Sequence, residues 1–182
     1  MNCTPATPVG RSPVHFALAV AFAIGFVSGC SKSATLPSTC AATQLTPQLT
    51  PLGGAASQSI WELALKNKSD STCLFEGFLG VYAQDKNHQN MAEGEAIRAD
   101  EQRLIRVRPG MTVYSEISFA YYHPDTGELC KDIAWWLRVG LPDDKGTLDV
   151  SVGPPPGPDQ KSTTFAFCGG FTIGPIKTEP VS

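Results

Sequence analysis

The strongest constraint on this chain is a two-residue period in its apolar side chains, repeated in short runs between Trp61 and Ile173. Trp61, Leu63 and Leu65 alternate with Glu62, Ala64 and Lys66. Phe78 to Tyr82 and Arg103 to Arg108 are further runs. Val113, Ser115, Ile117, Phe119 and Tyr121 share one face of a longer run, and Ile133, Trp135, Leu137 and Val139 share one face of the next. Leu148, Val150 and Val152, then Phe165 and Phe167, then Phe171 and Ile173 complete the series. Neighbouring side chains of a strand point to opposite faces, so each run predicts a strand with one face in a core. Turn-forming clusters separate them, at 67–71, Pro109-Gly110, 124–127 and 143–146. Only residues 88–102 contain a stretch suited to a short helix. Pro154 to Pro158 cannot join a central strand and predict an extended connection. The fold class that follows is all-β, an immunoglobulin-like antiparallel sandwich of about seven to nine strands.

Hydrophobic residues make up 42% of the chain and charged residues 17%, so a packed core is affordable in sequence terms and intrinsic disorder is excluded. The net charge of −3 excludes the basic face that a nucleic-acid binder needs.

The N-terminal segment has a different character. Arg11 and His15 precede an apolar run from Phe16 to Val27, followed by Ser28, Gly29 and Cys30. At ~1.5 Å per helical residue this run spans about 18 Å, short of a ~30 Å hydrocarbon core. It reads as a signal peptide over residues 1–29. Val27-Ser28-Gly29-Cys30 resembles the lipobox of bacterial lipoproteins, which implies diacylglyceryl attachment to the Cys30 sulfur. Residues 30–39 are small and polar and read as a flexible tether. A domain over 40–175 and a tail over 176–182 complete the expected organisation.

Cys3 falls in the leader and Cys30 at the lipid site, leaving Cys40, Cys73, Cys130 and Cys168. An even set in an exported chain predicts disulfides. Four cysteines admit three pairings. The sequential one, Cys40–Cys73 and Cys130–Cys168, is the expectation. It closes loops of similar size, and Cys130 and Cys168 flank strands that would be antiparallel neighbours. No Cys-x-x-Cys or zinc-type spacing is present.

Cys40, a strand ending at Asn67, Cys73 to Phe78, Val107-Arg108-Pro109-Gly110, Cys130 with its aromatic strand, and Cys168-Gly169-Gly170 with a last strand form a layout. That layout resembles the DUF4232 family of bacterial exported proteins and lipoproteins, a domain of unknown function. Leu79 departs from the proline common there. The resemblance implies a β-sandwich in the cell envelope and brings no catalytic residues.

The chain holds no nucleophile elbow, no zinc-protease motif and no phosphate-binding loop, and calls for no cofactor and no metal. Asp85 to Gln89 lacks the glycine and terminal acid of a calcium loop. Glu93, Glu95, Asp100 and Glu101 make an acidic patch. Trp135 is expected in the core, whereas Trp136 points outward with Ala134 and Arg138. With Tyr122, Trp136 and Arg138 are the expected ligand platform for a glycan or an envelope protein. The function expected is a membrane-anchored, non-enzymatic binding or structural lipoprotein whose domain faces the periplasm or cell exterior. The alternative is an envelope hydrolase acting on wall polymer or ester through His123.

Overall fold

The computed structural model describes residues 37–54, 57–101, 103–152 and 165–181. The leader, Cys30, most of the tether and Pro154–Pro158 lie outside the described residues.

The described chain is built from β1 (Leu45–Gly53), β2 (Gln58–Asn67), β3 (Cys73–Phe75), β4 (Gly80–Gln84), β5 (Asn90–Glu93), β6 (Glu95–Ala96), β7 (Ile105–Val107), β8 (Thr112–Ala120), β9 (Asp132–Ala134), β10 (Trp136–Gly140), β11 (Thr147–Ser151), β12 (Phe165–Phe167) and β13 (Phe171–Ile173). A five-stranded sheet has the order β1-β2-β8-β13-β6, and a four-stranded sheet the order β11-β10-β4-β5. Two ribbons, β12-β9 and β3-β7, add to them. All pairings are antiparallel except β13 with β6. The fold is all-β and sandwich-like.

Alternation builds the core as the sequence predicts along β2 and β8. Trp61, Leu63 and Leu65 are buried, as are Val113, Ser115, Ile117 and Phe119. Leu137, Val139, Val81 and Ala83 face them from the other sheet and are fully buried. Phe165 lies within an aromatic cluster, with ring centroids 5.6 Å from Trp61, 4.1 Å from Phe119 and 5.5 Å from Phe171.

Cys40 bonds to Cys73 and Cys130 to Cys168, with Cα separations of 4.8 and 5.1 Å. The second bridge lies just beyond the β9–β12 pairing: Phe167 opposes Asp132, and Cys168 is one residue and Cys130 two residues past that pair.

The structure corrects several expectations. Trp135 is half-buried, not core. A bend at Trp135 divides the expected strand into β9, which pairs with β12, and β10, which pairs with β4. Trp135 donates its N–H to the Gln84 carbonyl at 2.8 Å and accepts from the Val152 N–H at 3.0 Å. Trp135 is thus the extra residue of a bulge, and one extra residue reverses the faces on its N-terminal side. Ala134, not Ile133, is therefore buried. The region suited to a helix carries β5 and β6 with one 3-10 turn (Ala99–Glu101). Backbone pairing also continues on either side of residues 40–175. The Leu74 N–H donates to the Ser38 carbonyl, and Ile176 is buried while Lys177 exchanges backbone hydrogen bonds with Tyr114.

Candidate functional site

The outer face of the four-stranded sheet carries the densest set of candidate residues. Because Leu137, Val139, Val81 and Ala83 point inward, their alternates point outward. Register then aligns them in rows across the strands. Ser151, Trp136, Gln84 and Asn90 make one row. Asp149, Arg138, Tyr82 and Glu93 make the next. The third holds Thr147, Gly140 and Gly80, so its centre has no side chains.

Within the second row the charges are engaged. The Arg138 Nε donates to the Asp149 carboxylate at 3.0 Å, in a pair whose side chains are 38% and 41% exposed. Screening at that exposure keeps its contribution to stability small. The Tyr82 hydroxyl donates to Glu93 at 3.0 Å. That bond, with the negative charge behind it, raises the Tyr82 pKa by holding its proton.

In the first row the Trp136 ring is stacked against His88, with centroids 4.7 Å apart and planes 25° from parallel. His88 is exposed and reaches the ring from the turn between β4 and β5. Its φ of 61° is a left-handed conformation. The Asp85 carboxylate organises this turn, accepting from the N–H groups of Asn87 at 2.8 Å and Gln89 at 2.9 Å. The Gln89 N–H foremost holds the Asp85 carboxyl below its usual range. Gln84, opposite Trp136, is fully buried. Its amide nitrogen donates to Asn90 at 2.8 Å, and its Oε1 has no hydrogen-bond partner among the described residues.

The structure therefore brings together Trp136 and Arg138 of the expected platform, but not Tyr122. Tyr122 follows β8 of the other sheet and lies against Tyr121, with centroids 4.6 Å apart and ring planes tilted by 49°. His123 is exposed, and its backbone closes the 123–128 turn through the Glu128 carbonyl and the Gly127 N–H. Among the described residues, no side-chain hydrogen bond or ion pair engages its imidazole. The acidic patch is dispersed: Glu93 meets Tyr82, while Glu101 lies 3.7 Å from Lys177. Glu93 and Glu95 also border a shallow cavity of about 370 Å³ with Gln58, Ser118 and Thr172. Among the described residues, no group of three His, Cys, Asp or Glu is placed to hold a metal.

Sequence reading missed Tyr82 and His88. Tyr82 was accessible in principle, because Val81 and Ala83 facing inward send it outward. His88 was not, because its partner is nearly fifty positions away and a turn sets the contact.

Residues 40–176 match the family described as Domain of unknown function (DUF4232). The chain belongs to the DUF4232 family. The DUF4232 match spans both disulfides, Asn67 and the four-stranded sheet with its outer face. Neither a curated protein nor a solved structure matches the chain.

Proposed function

We propose that this chain is exported, held on a membrane through a lipidated Cys30, and acts there as a non-enzymatic binding module. The observation that carries the reading is Val27-Ser28-Gly29-Cys30, placed where the apolar run of the leader ends. Small residues before the cysteine let a peptidase approach the backbone. The thiol then takes the diacylglyceryl group, and more than one acyl chain gives stable anchoring. The four cysteines of the domain, bridged in two pairs, suit an oxidising compartment outside the cytoplasm. The binding part of the reading is supported by the outer face of the β11-β10-β4-β5 sheet, where ring surface and polar groups lie side by side.

Metabolic labelling with an alkynyl fatty acid tests the anchor. The wild-type chain takes up label and partitions with membranes, and Cys30→Ser does neither. Undiminished label on the mutant would end the lipoprotein reading.

A further inference from the structure

We infer that the outer face around Trp136 binds a neutral, hydroxyl-rich glycan, with the His88 imidazole occupying the place that a sugar ring takes. This deepens the binding-module reading above and rests on it. Trp136 is half-buried and already receives a planar ring at 4.7 Å. That ring comes from an exposed turn, on a residue whose φ of 61° non-glycine residues seldom adopt. An aromatic face carries negative charge density, so it suits the C–H face of a sugar as well as an imidazole.

The surrounding groups suit hydroxyls more than charges. Arg138 is paired with Asp149, and Glu93 with the Tyr82 hydroxyl, so the row offers donors and acceptors without an unpaired cation. A guanidinium has five N–H donors, and Asp149 engages only one edge of it. Gln84, which opposes Trp136 in the register, carries a buried Oε1 with no donor among the described residues. A buried acceptor without a donor is unfavourable. A sugar that displaces the imidazole brings a hydroxyl to that side of Trp136. Gly80 and Gly140 bring no side chain to the third row, and the Tyr82 ring lies 3.7 Å from where a Gly80 Cβ would sit, so the ring surface of this face extends in that direction for a ligand longer than one ring.

The test titrates the full chain carrying Cys30→Ser with chitohexaose and cellohexaose, read by calorimetry and tryptophan emission. At least one sugar binds and shifts the emission. Trp136→Ala weakens it at least about tenfold and Arg138→Ala several-fold, with the thermal transition retained in both. His88→Ala binds equally or more tightly, because the competing ring is gone. No binding of either sugar at millimolar concentration overturns the proposal. So does binding that survives both Trp136→Ala and Arg138→Ala, or a loss in His88→Ala equal to that in Trp136→Ala. Binding of a proline-rich peptide in place of the sugars overturns it as well. The anchor is absent from every arm, so failure here leaves the labelling result standing by itself.

Discussion

Asn67 shows how one polar side chain can hold several segments. It is fully buried, and its amide nitrogen donates to the carbonyls of Ser71 at 2.8 Å and Val107 at 2.9 Å. Its oxygen accepts from the Ser69 N–H at 2.9 Å and the Ser69 hydroxyl at 2.7 Å. The end of β2, the turn before β3 and the end of β7 are thereby tied together. Asn67→Ala breaks the bonds to Ser69, Ser71 and Val107 at a fully buried position, so chemical denaturation should show a loss of about 2–4 kcal/mol. Gly94 acts through what it lacks. A Cβ there would lie 2.5 Å from Phe171 Cε2 and from Ile173 Cδ1, both in the core. Gly94→Ala should therefore cost about 1–3 kcal/mol by overpacking, seen in the same measurement. The Asp85 turn gives a pH prediction. Its carboxyl has a folded pKa below the unfolded one, so its stabilisation is present above the unfolded value and is lost as pH falls through the folded value. The amide resonances of Gln89 and Asn87 should move in that acid range in the wild-type chain. In Asp85→Ala they should already sit at their shifted positions at neutral pH.

At the scale of elements, the three tryptophans separate what alternation can and cannot reveal. Trp61 is 3% exposed and packs on Phe119 and Phe165, and the regular alternation of β2 placed it there. Trp61→Ala should cost about 3–5 kcal/mol. Trp135 and Trp136 are both half-buried, so each should cost clearly less, and denaturation midpoints of the three variants check the order. A loss at Trp135 as large as that at Trp61 would contradict the bulge. The sandwich was legible because period two survives wherever a strand is regular, as in β2, β8 and β10. It was not legible at Trp135, because a bulge leaves no compositional mark there and is fixed by bonds to Gln84 and Val152, distant in sequence. β1 went unread for a related reason. Its Pro47 and Pro51 look like strand breakers, yet both oppose residues of β2 at positions of the same parity. Their missing N–H groups must then point to the free side of an edge strand, where proline is tolerated and discourages further pairing. The candidate face was half legible: Trp136 and Arg138 share a strand, whereas Tyr82, His88 and Gln84 reach it only through the β4–β10 register.

For the whole molecule, the two bridges sit at mechanically different places. Cys130–Cys168 fastens the ends of β9 and β12 near the aromatic cluster, with Cys130 buried and Cys168 half-buried. Cys40–Cys73 fastens the segment that enters the domain from the side of the proposed anchor. Besides the bridge, that segment holds by backbone bonds (Cys40 N–H to the Leu74 carbonyl, Leu74 N–H to Ser38, Ala42 N–H to Lys145), by the Thr39 hydroxyl donating to Asp143 at 3.2 Å, and by Cys40 and Ala42 packing on the core. The sequence separations of 33 and 38 residues are close, so loop-closure entropy assigns both bridges about 3.5–4 kcal/mol. Paired cysteine-to-alanine variants should therefore lose similar global stability in chemical denaturation. They should differ in where the native state opens. Without Cys40–Cys73, hydrogen exchange should rise at the Cys40 and Leu74 amides while β8 stays protected, because β8 is held on both sides by its own pairings with β2 and β13. Without Cys130–Cys168, exchange should rise at Cys168, whose N–H bonds to the Ala120 carbonyl, and along β9 and β12. A tether that pulls on the domain loads the first bridge before any sheet. Exchange that rises uniformly across β8 on loss of Cys40–Cys73 alone would show that the entering segment is part of the cooperative core and not a strap upon it.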